Sequence, residues 1–188
     1  MRQEDFENFK DRIWTTKTAR INAERRLLKK ESFIQGLNIY YSCIGIFFSI
    51  MTLIKEDQKL SIATVFISIA LLAAILYSNS QKNLENAKDY KRNYIDMTEI
   101  EFRLKHVDIC DEITIQKIEK EYCELLQNSC NHIEFDYQYT VFESKGEYRE
   151  KNWKKIRGLF WWNMIWRSAL KIFVLVFPLI IYCVCEGL

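Results

Sequence analysis

Two apolar, charge-free runs separated by one short polar break constrain this chain more than any other feature. The first run is Ser32 to Ile54 and the second is Leu60 to Gln81, with Lys55-Glu56-Asp57-Gln58-Lys59 between them. A helix needs about 20 apolar residues to cross a hydrocarbon core of about 30 Å. Both runs reach that length, and a single segment in lipid must be helical to satisfy its own backbone. The break is too polar to remain in lipid and long enough to turn. The stretch therefore reads as a transmembrane hairpin, and the rest of the chain is placed relative to it.

Composition alone hides this. Charged residues make up 28% of the 188, a value ordinary for a soluble protein, and the mean hydropathy is only −0.18. One Pro and five Gly leave few helix breakers, so long helices are expected. A net charge of +2 gives no reason to expect direct nucleic-acid binding. No cleavable signal peptide is expected, because the first 31 residues are polar and charged. The six cysteines are scattered without zinc-site spacing and read as buried free thiols.

Residues 4–31 read as an amphipathic helix, with Trp14, Ile21 and Leu28 seven apart on one face. Arg25, Arg26, Lys29 and Lys30 precede the first run, where cations favour the cytoplasmic side. In that run Asn38, Ser42, Gly45, Ser49 and Thr52 fall at alternating steps of four and three and form one small or polar stripe. Ser61, Thr64 and Ser68 repeat the idea in the second. Such residues let helices approach closely and let hydroxyls bond across. Packing within the hairpin and lining a wet axis in an oligomer both account for the stripe.

Residues 80–107 read as a helix continuing out of the membrane. Asp111 or Thr114 is placed to cap another, with Ile115, Ile118 and Tyr122 on its apolar face. Over 133–141 apolar and polar residues alternate as in a strand. No second strand is available to pair with it, which favours a helical or irregular segment. Ile172 to Cys185 is a third apolar run, preceded by the cations Arg167 and Lys171 and by Trp161, Trp162 and Trp166. The order suits a third helix entering from the cytoplasm, its cations snorkelling to the headgroups; a pore-facing role is the alternative.

The expected protein is thus all-α and multi-pass. It has an amphipathic helix over 1–31, a hairpin over 32–81, a polar helical region over 82–157 and a membrane helix with tail over 158–188. Nine Lys and Arg before the hairpin and 14 over residues 82–157, against two in the 55–59 loop, put the N-terminus in the cytoplasm. No phosphate-cradling glycine loop or nucleophile elbow is present, and an enzyme is not expected.

The run Trp14-Thr15-Thr16-Lys17-Thr18-Ala19-Arg20-Ile21-Asn22-Ala23-Glu24-Arg25-Arg26-Leu27 leads directly into the hairpin. After it come a long helix through Tyr90, Tyr94 and Met97, then Tyr122-x-x-Leu125-Leu126, Asn131-His132 and Asp136-Tyr137. In that order these residues resemble the SLATT domain, a two-transmembrane effector domain of bacterial conflict and antiphage systems, over about residues 5–145. The C-terminal run resembles a subclass found beside reverse transcriptases. The resemblance implies an effector of the bacterial inner membrane that oligomerises and forms pores or otherwise damages the bilayer, arresting or killing the infected cell. It implies no cofactor. Its partners would be the bilayer, copies of itself, and a cognate reverse transcriptase or a nucleotide-second-messenger system. A membrane-anchored scaffold recruiting a cytosolic partner is the alternative. It also puts weight on Trp14, Lys17, Arg20 and Glu24 as a face that packs on the post-hairpin helix. Asn131, His132 and Asp136 become structural residues, with His132 and Asp136 four apart and able to pair on a helix.

Overall fold

The computed structural model describes residues 3–55, 58–128, 132–145 and 147–187. Six helices appear in order: α1 (Gln3–Lys55), α2 (Gln58–Ser80), α3 (Asn83–His106), α4 (Glu112–Gln127), α5 (Glu134–Glu143) and α6 (Glu147–Gly187). No strand is found among the described residues. Glu56 and Asp57 of the polar break, Asn131 and Leu188 lie outside them.

The amphipathic segment and the first apolar run are one helix of 53 residues, since no Gly or Pro at the junction interrupts the ladder. The alternating stretch 133–141 is helical from Glu134 onward. Phe135, Tyr139 and Phe142, three and four apart, come onto one face and meet Phe160 of α6. Asp111 is the residue that caps α4: one carboxylate oxygen accepts the Thr114 N–H at 3.1 Å and the other accepts its hydroxyl at 2.6 Å. The α2–α3 junction is made by Lys82, whose φ of 48° is left-handed. A non-glycine residue there costs about 1–2 kcal/mol. The next residue, Asn83, is buried and clamps α1: it accepts from the Lys30 ammonium at 3.3 Å and donates to Glu31 at 3.2 Å.

The chain divides into two compact units. A polar unit holds residues 1–29 and 84–161, and an apolar unit holds 30–83 and 162–188. In the polar unit, α1 buries Phe6, Phe9, Ile13, Arg20, Ala23 and Leu27, at steps of three, four, seven, three and four. This seam lies one residue before the expected Trp14/Ile21/Leu28 row, and Leu28 is exposed. α3 answers with Ala87, Tyr90, Met97, Ile100 and Leu104, and α4 with Ile115, Ile118 and Tyr122. Side-chain bonds fix α1 and α3 as antiparallel: Lys17 meets Glu101, Arg20 meets Met97 and Glu24 meets Tyr94. Phe160, fully buried, anchors the start of α6 among Phe135, Phe142 and Trp153, with centroids 4.9–5.9 Å apart.

Among the described residues three helices, α1, α2 and α6, are long and apolar enough to cross a membrane. At most 11% of the most apolar stretch of any of them is buried, which leaves their surfaces to lipid or to another chain. In the apolar unit α1 packs against both neighbours through Phe48, Leu60 and Ile67, with Ile181 and Tyr182 of α6 against the same cluster. The third helix thus braces the hairpin on its α1 side. The thiols of Cys43, Cys110, Cys123 and Cys183 are free, as expected, but their residues are exposed rather than buried. Cys43 and Cys183 lie on apolar helices whose outer faces carry no protein cover, and Cys123 falls beside the α4 seam rather than on it.

Candidate functional site

The apolar unit carries a groove and the polar unit a buried polar cluster. The groove runs between α1 and α2, has a volume of about 540 Å³, and is lined by Ser42, Gly45, Ser49 and Ser68 together with apolar residues such as Ile46 and Leu72. The stripe hydroxyls are satisfied inside their own helices. Ser42 donates to the Asn38 carbonyl, Ser49 to Gly45 and Thr52 to Phe48; in α2, Thr64 donates to Leu60 and Ser68 to Thr64, all at 2.7–2.9 Å. They therefore present weakly polar, self-satisfied surface rather than bonds across the hairpin. A Cβ built on Gly45 would meet nothing within 4 Å, so within one chain this glycine does not serve close helix approach. Asn38 is half-buried and Ser61 is exposed.

Lys171 of α6 sits with its ammonium 5.2 Å from the Phe33 ring on α1, a cation–π contact within the apolar unit. Arg167, one turn before it, is exposed.

The polar cluster gathers the other sequence-selected residues. Asp136 is almost fully buried at the start of α5. Its carboxylate accepts from Arg26 Nε at 2.7 Å and from the second guanidinium nitrogen at 3.1 Å, and takes the Ile133 N–H at 3.2 Å. One side chain thus pairs a charge and caps a helix. The expected helical pairing of Asp136 with His132 is replaced by this arrangement. His132 lies ahead of α5, off the helix, because the helix begins only at Glu134. Its Nδ1 is buried without a hydrogen-bond partner, and burial lowers its pKa; Asp136 opposes that shift and Arg20 adds to it. Asn131 lies outside the described residues.

Arg20 is fully buried, with Nε unpartnered and, among the described residues, one polar contact, the Met97 sulfur at 4.0 Å. Desolvation lowers its pKa. Lys17 pairs with Glu101; burial opposes ionisation of that carboxyl, but bonds from Lys17 and Lys105 outweigh it and hold its pKa low. Trp14 packs edge-on against Tyr148 of α6 at 5.6 Å. Asn22 and Tyr137, both within the family-like motifs, complete the cluster with Thr140 and Tyr148, which sequence reasoning did not single out. Asn22 donates to Thr140 at 3.1 Å, and Tyr137 beside Tyr148 has its pKa pushed up to about 12, mainly by burial. Asn22 and Thr140 carry no periodic signal, being polar residues on seams that are otherwise apolar.

Comparison with known families matches residues 2–184 to the SMODS and SLOG-associating 2TM effector domain family 5. The chain belongs to this family. The match runs from the start of α1 nearly to the end of α6, so the SLATT domain here takes in the third apolar helix as well as the hairpin. The family's description counts two transmembrane helices, and this member carries a third helix of spanning length. It is a membrane protein of an effector family associated with conflict systems. No curated protein matches this SLATT chain, and no solved structure does.

Proposed function

We propose that this SLATT protein is a pore-forming effector that assembles in the bacterial inner membrane through the α1/α2 groove and arrests or kills the cell when triggered. The observation that carries the reading is the groove itself. Ser42, Gly45, Ser49 and Ser68 line it among larger apolar side chains, the hydroxyls are already satisfied, and Gly45 faces open space. Small residues on a lipid-facing helix have most to gain from a second helix packing closely against them. The charge bias of the flanking segments supports a cytoplasmic N-terminus and polar unit. A trigger acting there, through a reverse transcriptase or a nucleotide-second-messenger system, needs only a few kcal/mol of differential binding to shift a two-state assembly.

The test is membrane potential in bacteria expressing the chain, read with a voltage-sensitive dye beside a Ser42→Leu/Gly45→Leu/Ser49→Leu variant. The variant fills the groove with lipid-compatible side chains and leaves insertion intact. The expected result is depolarisation by the parent chain only, either alone or with its genomic partner under challenge. Equal depolarisation by parent and variant overturns the groove as the assembly surface. Silence of both, with the partner present, favours a membrane tether whose polar unit recruits that partner.

A further inference from the structure

Pro178 stands inside α6, which continues to Gly187. Proline has no N–H, so the carbonyl four residues back, at Val174, loses its helical donor. In water that carbonyl would be hydrated; in a membrane span each unsatisfied backbone group costs several kcal/mol. Here the donor comes from another helix. The Tyr41 hydroxyl of α1 donates to the Val174 carbonyl at 2.6 Å, and the adjacent Tyr40 hydroxyl donates to the Leu175 carbonyl at 2.8 Å. Pro178 itself is fully buried. Just beyond it Tyr182 stacks on Phe48 of α1, with centroids 5.8 Å apart and ring planes at 29°. A tyrosine hydroxyl within an apolar run needs an acceptor as much as the carbonyl needs a donor.

We propose that Tyr40 and Tyr41 latch α6 to α1 at a proline hinge, with Tyr41 filling the hydrogen-bond vacancy that Pro178 creates. Val174 can accept from Tyr41 without competition only because residue 178 is proline. The two residues, on different helices and 137 positions apart, are therefore energetically coupled. With the latch closed, α6 beyond the hinge is held along α1. With it open, the freed Val174 carbonyl needs water or another polar donor, so opening hydrates this level of the apolar unit and lets α6 bend at the proline. The inference concerns the protein's own mechanics and does not depend on what the effector does to the bilayer.

The test is a double-mutant cycle in the full chain reconstituted in lipid nanodiscs: Tyr41→Phe, Pro178→Ala and both together. The readout is backbone amide exchange over residues 175–184, with the yield of inserted protein read alongside. Alanine in place of the proline restores the N–H and makes the tyrosine redundant. The expected result is about tenfold faster exchange for Y41F with Pro178 present, as for the loss of a bond of roughly 1.4 kcal/mol, and less than twofold in the P178A background. Y41F protein that inserts only when combined with P178A supports the latch equally. Equal effects of Y41F in both backgrounds, no effect in either, or failure of P178A alone to insert would each overturn it.

Discussion

Replacing Arg20 with methionine should make the polar unit more stable, although Arg20 lies within the family-like run of α1. Arg20 occupies a seam position between Ile13 and Leu27, fully buried, where the neighbouring positions are apolar. Its Nε has no hydrogen-bond partner, and its one polar contact among the described residues is a sulfur at 4.0 Å. Taking a guanidinium out of water costs several kcal/mol, and the sulfur contact with the electrostatic pull of Tyr122 and Tyr90 returns only part of it, since the net effect on its pKa is a lowering. Replacing buried charged groups by apolar side chains of similar volume has stabilised proteins by about 1–4 kcal/mol. Methionine fills much of the same elongated space against Met97, keeps good helix propensity and needs no polar partner. We expect a gain of about 2 kcal/mol, which at about 4 °C per kcal/mol raises the melting midpoint by about 8 °C. The assay is thermal melting of the full chain in nanodiscs, followed by protease cleavage within residues 84–145 so that the polar unit is read apart from the membrane helices. A lower midpoint for R20M would refute the reasoning, because it would mean that the buried cation makes favourable interactions beyond those its surroundings provide here. If the midpoint rises while the effector loses its cellular phenotype, Arg20 is held at a stability cost for its role in activity.

Asp136→Ala should have the opposite sign. It removes the partner of a largely buried Arg26 and the acceptor for the α5 N-terminus, and should cost about 3 kcal/mol; in the same melting assay Asp136→Asn should cost less, and adding Arg26→Met should recover part of the loss. His132 makes the polar unit acid-sensitive. Its pKa is lower folded than unfolded, so the unfolded chain binds the proton first, and stability should hold above about pH 6.5 and fall as pH drops below it. His132→Gln should flatten that slope between about pH 7.5 and 5.5, and an unchanged slope would assign the sensitivity to another group.

Much of this protein is written locally in its chain. Charge-free length determined the hairpin, and the order of Trp belt, cations and apolar run pointed to the third helix, because lipid allows a single segment only the helix. Asp111 as a cap also follows from local chemistry, since a short carboxylate reaches the N–H three residues on. What periodicity could not settle was which residue sits at each seam when the side chain contradicts its place. The family-like face of Lys17, Arg20 and Glu24 does meet α3, but apolar spacing alone picks the Trp14, Ile21 and Leu28 row, and the buried seam lies one residue away because it takes in Arg20, a cation that apolar periodicity does not count. The stretch 133–141 alternates like a strand, and the lack of a partner strand favours a helical or irregular segment; contact of Phe135, Tyr139 and Phe142 with Phe160 accompanies the helical outcome. Asp136 and Arg26 are 110 positions apart, and Tyr41 and Val174 are 133 apart. In both pairs one group is useful only because of what the other lacks, a counter-charge in one and a proline's missing N–H in the other. Such complementarity exists between helices, so only tertiary structure decided it, whereas the spans and caps depend on near neighbours and on the solvent around them.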